Sequence, residues 1–272
     1  MELQSNADWE VIRYDAGMLF RSQDRIATEW PLTIKVNGEE FATLVCTPSD
    51  LLELTYGFLA SEGWIRTSND VSRVDVDEGT GFAHVELHRK NHMRSGDHSK
   101  RWIGSCCGKS RQFYLRSDVQ TARTIMTSVP ITVETCFQLM NALQRESADF
   151  EQTGGVHNAA LCGSDGLFLV RSDIGRHNAL DKLYGYCLLH RISMRDKVIA
   201  FSGRMSSEVV LKAAKMGAGI LLSKSAPTDL ALKLANDLNI TTVGFIRGNR
   251  LNVYTHPERI LDTAVMTKEE PL

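Results

Sequence analysis

The sequence predicts an α/β fold, with a smaller strand-rich α+β region ahead of a three-layer domain. One observation is the length: 272 residues suit two ordinary domains. Another is the run of short alternating apolar segments, split by turn residues, that fills the first part of the chain. A third is the regular exchange of apolar runs and amphipathic helices after residue 156, the pattern of a largely parallel sheet covered on both faces. The expected division is a strand-rich N-terminal domain over 1–125 and a second domain over 126–272.

Taken in order, "PLTIKVNGEEFATLVC" holds two alternating runs split by Asn37-Gly38, a strong hairpin signal. "TPSDLLELTYGFLASEGWI" reads as a helix capped by Thr47 or Ser49, with Leu51, Leu54 and Phe58 at helical spacing. "VSRVDVDEGTGFAHVELH" is a second hairpin whose Val85 and Leu87 face the core. "RKNHMRSGDHSKRW", Arg89 to Trp102, is expected as an exposed, mobile connection. A helix, "TVETCFQLMNALQRESADF", opens the second half. "AALC" and "LFLVR" are strands around a Ser-Asp-Gly turn, followed by the helix "NALDKLYGYCLLH". Then "KVIAF", "AGILL", "ITTVGFI" and "LNVYTH" read as strands, with the helices "SSEVVLKAAKMG" and "TDLALKLANDL" between them.

Composition narrows the function. Hydrophobic residues make up 43% and charged residues 24%, the profile of a chain that buries a core. A net charge of −2 gives no bulk attraction to nucleic acid or anionic membrane. The opening "MELQSNADWE" is acidic where a signal peptide is basic, and no apolar run approaches membrane-helix length. A cytoplasmic, reducing setting is expected, in which Cys46, Cys106, Cys107, Cys136, Cys162 and Cys187 are free thiols.

"GSCCGKS", Gly104 to Ser110, invites several readings. A phosphate-binding loop needs a glycine at position 103, which is Ile103, so the loop is one residue short. A structural zinc site needs about four converging ligands. Cys106 and Cys107 lack a second closely spaced cysteine pair, and His84 and His88 alternate onto a solvated strand face. Free cysteines are commonly small buried hydrophobes. Against that stands the flexible, cationic surround of Gly104, Ser105, Gly108, Lys109 and Arg111, which exposes a thiol and stabilises thiolate. A reactive thiol is the favoured reading.

The second half offers a complement. Strands end in "RSDIGRHN", "SGRMSSE", "SKSAPTD" and "GFIRGNR". In open α/β sheets ligands bind at the carboxyl ends of strands. Arg171, Arg176, Arg204, Lys224, Arg247 and Arg250 are expected to converge there on a polyphosphate-bearing ligand. His177 and Asp181, at i and i+4, are expected to pair and pin their helix. His157 lacks the His-x-Glu and Pro-Cys-x-x-Cys pattern of zinc deaminases, because residue 159 is Ala159.

The motifs "TGGVHNAAL", "LVRSDIGRHNALDK", "SGRMSSEVVLKAA", "SKSAPTDLALKLA" and "VGFIRGNRLNVYTHPERI" together resemble the FdhD family of formate dehydrogenase accessory sulfurtransferases. The resemblance runs from about Val11 to Ile260. It implies a cytoplasmic homodimer whose C-terminal three-layer domain is cytidine-deaminase-like without a structural metal. It also implies an enzyme that accepts persulfide sulfur from a cysteine desulfurase. The sulfur then passes to a molybdenum or tungsten bis-guanine-dinucleotide cofactor, bound as substrate, for formate dehydrogenase. Aligning Cys-x-x-Cys-Gly on Gly108 makes Cys107 the carrier and puts Gly104 at the first cysteine, with Cys106 as a substitute partner. The ligand role falls on Phe245, Ile246, Arg247, Gly248, Asn249 and Arg250. Two rivals are a cofactor-binding chaperone without obligatory thiol chemistry and a nucleotide-acting enzyme using Asp173, His177 or Glu208.

Overall fold

The computed structural model describes residues 3–88, 101–103, 124–126, 129–146, 152–163 and 165–262. The chain opens with a hairpin of β1 (Asn6–Asp15) and β2 (Met18–Ala27), which form a two-stranded sheet of their own. A five-stranded sheet follows, built from β3 (Trp30–Val36), β4 (Glu39–Cys46), β5 (Val71–Asp77), β6 (Phe82–Leu87) and β7 (Arg101–Ile103) in the order β5-β6-β3-β4-β7. Asn37 and Gly38 both take positive φ, 50° and 88°, as the tight β3–β4 turn requires. In β6, Ala83, Val85 and Leu87 are buried while His84 and Glu86 face solvent. Arg101 and Trp102 were expected in a connection; they lie instead in β7, which pairs parallel to β4. The rest of that segment, and Ser164 of the Ser-Asp-Gly turn, fall outside the described residues.

The second sheet contains β9 (His157–Gly163), β10 (Gly166–Asp173), β11 (Val198–Phe201), β12 (Ile220–Ser223), β13 (Thr241–Arg247) and β14 (Arg250–Thr255), ordered β10-β9-β11-β12-β13-β14. Only β11/β12 and β12/β13 pair parallel. The sheet is therefore mixed rather than largely parallel. Short connections join β9 to β10 and β13 to β14, and a short connection can only join antiparallel neighbours. A small parallel pair, β8 (Ile131–Thr132) with β15 (Ile260–Leu261), closes the described fold.

Period-two alternation splits this sheet between two apolar layers. Ala160, Val198, Ile220 and Val243 meet Cys136, Leu139, Met140 and Leu143 of α2 (Val133–Arg145). Ala159, Leu161, Ile199 and Leu221 belong to the opposite core, with α3 (Arg176–Leu189), α4 (Ser207–Met216) and α5 (Asp229–Asp237). Thr132 and Thr228 cap α2 and α5 through their hydroxyls, and Gly217, at φ 93°, ends α4.

That second core is continuous with the first sheet. Leu32, Ile34, Leu54 and Phe58 share it with Leu180 and Leu183. The link is α1 (Leu51–Ser61), which crosses α3 at two glycines. A Cβ on Gly57 would stand 1.7 Å from the Asp181 carbonyl oxygen, and one on Gly185 would stand 1.8 Å from that of Glu53. The two backbones touch, so no larger residue fits.

A buried polar network fixes the same junction. Lys182 Nζ lies 2.8 Å from Asp173 Oδ2, and neither side chain has any exposure. The ammonium also donates to Thr47 O, Ser49 Oγ and Ser172 O. Asp173 accepts from the amides of Thr47 and Gly175 and from Asn178 Nδ2. A buried ion pair persists only when its remaining hydrogen-bonding capacity is met in this way.

Candidate functional site

Because β11, β12 and β13 run parallel, Phe201, Ser223 and Arg247 end on one edge of the sheet. Two antiparallel steps bring the carboxyl end of β10 and the start of β9, at His157, to the same edge. The loops there are stitched together. Ser223 Oγ donates to Gly203 O, Ser225 Oγ to Ser202 O, and the Met205 amide to Ala226 O. A cleft of about 270 Å³ opens beside them. Its floor is Met140 and Leu143 of α2, and its rim includes Gly155, His157, Ser202 and Lys224.

The "GFIRGNR" segment forms the β13–β14 hairpin, and it is distorted in a specific way. The register breaks between Gly244 and Arg247. Gly244 is packed so closely that an added Cβ would meet Met205 Cε and Ser225 O at 3.0 Å. Phe245 then adopts φ 52°, a left-handed conformation that costs a bulky residue on the order of 1–3 kcal/mol. The distortion turns the ring outward: Phe245 is 40% exposed, while Ile246 next to it is buried in the α2-side core. Position 246 thus offers a ligand its backbone, not its side chain.

Arg247 pairs with Arg250 across Gly248-Asn249, with Gly248 at φ 53° and open space where its Cβ would be. Both arginines are exposed. The Arg247 guanidinium lies 5.7 Å from the Phe245 ring centroid, and its Nε donates to Lys224 O at 3.3 Å. A flat apolar ring, two cations and a backbone without a side chain in the way suit a planar base joined to phosphates.

Not every expected cation reaches this edge free. Arg171 makes a two-pronged ion pair with Glu53 of α1 at 2.6 and 2.8 Å, and its guanidinium stacks over Tyr186 at 5.1 Å. The Glu53 hydrogen bonds hold its pKa above the ordinary value. Arg171 therefore belongs to the helix junction. Arg176, Arg204, Lys224, Arg247 and Arg250 remain at the strand ends.

His177 and Asp181 do not pair with each other. Asp181 accepts from Ser61 Oγ and from Lys212 Nζ, and its burial pushes its pKa up. His177 Nε2 lies 3.1 Å from Glu208 Oε2 without hydrogen-bond alignment. Burial, followed by Lys212, Arg176 and His157, pushes its pKa down to about 3. Arg176 Nε and Ser206 Oγ are likewise buried without partners. The helix starts of α3 and α4 thus bring a neutral imidazole and a cation together with unspent hydrogen-bonding capacity.

Cys106 and Cys107 lie outside the described residues. β7 ends at Ile103, paired with Leu44, two residues before Cys46 and three before Thr47, which bonds Asp173. Cys46, Cys136, Cys162 and Cys187 are buried, and burial pushes each of their thiols up to about 12. Such thiols are poor nucleophiles at neutral pH.

The FdhD/NarQ family model matches residues 27–261. The sulfur carrier protein FdhD of Bacillus licheniformis is 59% identical over 251 residues, covering 92% of this chain and 95% of that protein. The sulfur carrier protein FdhD of Staphylococcus aureus (strain MRSA252) is 55% identical over 255 residues, covering 93% and 96%. A crystal structure from Desulfotalea psychrophila, described as that of a formate dehydrogenase accessory protein, superposes with a TM-score of 0.78 at 25% identity, covering 95% of this chain and all of that one. A family match across this span, joined to relatives sharing more than half their residues over nearly the whole length, places this chain in the FdhD/NarQ family.

Proposed function

We propose that this protein is a sulfur carrier that takes persulfide sulfur from a cysteine desulfurase and hands it to the guanine-dinucleotide form of the molybdenum or tungsten cofactor used by formate dehydrogenase. The strained, exposed Phe245 beside Arg247 and Arg250 carries the reading from this chain. A left-handed bulky residue persists only where its surroundings impose it, and such outliers cluster at ligand sites. The names of the relatives support the sulfur half, and the Desulfotalea protein supports the link to formate dehydrogenase.

In this scheme the Cys107 thiolate attacks the outer sulfur of the donor's persulfide. The donor S–S bond breaks, its cysteine leaves as thiolate, and the sulfane sulfur now sits on Cys107. No net oxidation occurs in this acceptance step. Cys106 is the neighbouring thiol. The cofactor is the substrate: its guanine would lie against Phe245 and its phosphates against Arg247, Gly248, Asn249 and Arg250. A cytidine-deaminase-like layering of residues 126–272, a homodimeric state and a cytoplasmic location belong to the same proposal.

Calorimetric GDP titration combined with persulfide labelling tests it. A charge-assisted hydrogen bond contributes roughly 1.5–3 kcal/mol, so Arg250→Ala should bind GDP about ten- to a hundredfold more weakly. It should still take labelled sulfur from a desulfurase, whereas Cys107→Ser should not. Unchanged GDP affinity removes the hairpin from the scheme. Full maturation of formate dehydrogenase by Cys107→Ser replaces sulfur transfer with a chaperone role.

A further inference from the structure

Beside the hairpin, the strand-end cleft is a built cavity with a chemistry of its own. Buried Met140 and Leu143 of α2 form its floor, and buried Val156 joins them in the lining. Its volume of about 270 Å³ falls just under the roughly 300–1,000 Å³ of pockets that enclose a whole drug-sized ligand. That suits a single ring system, not a ring with a sugar and phosphates attached.

The polar groups around this floor are of two kinds. Asn158 and Ser202 are spent on the fold. Asn158 Oδ1 accepts from Ser172 Oγ at 2.7 Å, and Ser202 Oγ accepts from the Asn158 amide at 2.9 Å. The side chains of Gln144, His157 and Lys224 make no hydrogen bond or ion pair among the described residues, although all three line the cleft. Burial, followed by the charge of Arg176, pushes the His157 pKa below its ordinary 6.5, so at neutral pH its ring carries one donor and one acceptor. Gln144, in the last turn of α2, carries a donor and an acceptor on its carboxamide. Lys224 is the one charged side chain in the lining, and no carboxylate accompanies it there.

We infer that the cleft is a second ring site, which takes a fused-ring oxo-heterocycle carrying an anionic group on the ring itself. The apolar floor receives the face of the ring. His157 and Gln144 pair with the N–H and C=O groups along its edge, and Lys224 pairs with the anion. Polar groups left unpaired on burial are costly, so donors and acceptors unspent by the fold select a heterocycle over a plain hydrocarbon ring. A cationic ring finds no counter-charge among the lining residues.

Lys224 ties this site to the hairpin. Its side chain lines the cleft, while its carbonyl oxygen accepts from Arg247 Nε at 3.3 Å. The proposed ligand is a dinucleotide, and the hairpin receives only its guanine and phosphates. The cleft receives the other end. That connection rests on the hairpin reading; ring binding in the cleft does not.

Carboxypterin is the probe. It has two fused rings, an amide-like edge and a carboxylate on the ring, and its own fluorescence anisotropy reports binding. Wild type should bind it with a dissociation constant below about 1 mM, as a ligand of this size allows. Lys224→Ala should weaken binding about ten- to a hundredfold, through the lost charge-assisted bond, and leave the circular dichroism spectrum unchanged. If the alanine disturbs folding, Lys224→Gln takes its place with the same expectation. His157→Leu should cost about tenfold, and His157→Gln, which keeps a donor and an acceptor, much less. Naphthoate, with the rings and the charge but no polar edge, should bind about tenfold more weakly than the pterin. Saturating GDP and Arg250→Ala should each leave pterin binding unchanged. Displacement of the pterin by GDP, full affinity in the Lys224 variants, equal affinity for naphthoate, or no binding by wild type at about 1 mM overturns the assignment. Absence of GDP binding with pterin binding intact removes the hairpin from the scheme and leaves the ring site standing.

Discussion

Replacing Lys182 by Met strips the paired cation from a carboxylate that has no contact with water. The substitution keeps the volume of the side chain, so the change is electrostatic and not a cavity. Breaking one side of a buried ion pair costs about 3–5 kcal/mol, because the remaining charge is left uncompensated. The upper half of that range is expected here. The Thr47 and Ser172 carbonyls lose a donor at the same time, and burial leaves no solvent screening to soften the loss. For a chain of this size each kcal/mol moves the midpoint by roughly 2–4 °C, so melting should fall on the order of 10 °C. Urea denaturation followed by circular dichroism gives the free energy directly. Asp173→Asn/Lys182→Met should recover part of it, since the carboxamide oxygen still accepts from nearby amides. Full recovery is not expected, because its NH₂ group cannot replace the second carboxylate oxygen. A loss under about 1 kcal/mol in the single variant would refute the view that this pair ties the first sheet to the strand-end edge.

Gly185→Ala places a Cβ 1.8 Å from the Glu53 carbonyl oxygen, so the helices must separate; loss of soluble folded protein, or a destabilisation above about 3 kcal/mol, is expected in an unfolding titration. A thiol reagent at neutral pH should react quickly with Cys106 and Cys107 only, and with all six cysteines after denaturation, because the other four are buried and held in the thiol form. His177 binds its proton near pH 3 when folded and near its ordinary 6.5 when unfolded. Its share of the stability is therefore complete above about pH 6.5 and is lost as pH falls toward 3, with a slope of at most about 1.4 kcal/mol per unit. His177→Asn should flatten that limb of the stability–pH curve.

Local features of this fold were legible in the sequence. Asn37-Gly38 dictates a tight hairpin by backbone sterics alone, and "HVELH" displays its buried face by alternation. The strand-end loops were legible because their polar, glycine-bearing clusters interrupt the apolar runs on either side. The long-range partners were not. Arg171 carries no mark that its carboxylate lies 118 positions earlier, on α1. His177 and Asp181 have the spacing of a helical pair, yet each faces α4, where Glu208 and Lys212 stand closer. Strand direction was misjudged because alternation is the same for parallel and antiparallel pairing. Nothing in "GFIRGNR" announces that Phe245 is left-handed; that follows from Gly244 being pinned against Ser225 and Met205.

The glycine crossing of α1 and α3 also has a consequence for synthesis on the ribosome. Ser61 meets its partner Asp181 only after 120 further residues have been made. At roughly 5–20 residues per second, translation leaves α1 without its packing surface for about 6–24 s. During that interval Leu54, Phe58 and Leu59, which end fully enclosed, are open to solvent on the nascent chain. The first sheet cannot complete its core as an early independent unit. The growing polypeptide should therefore be a client of holding chaperones until α3 emerges.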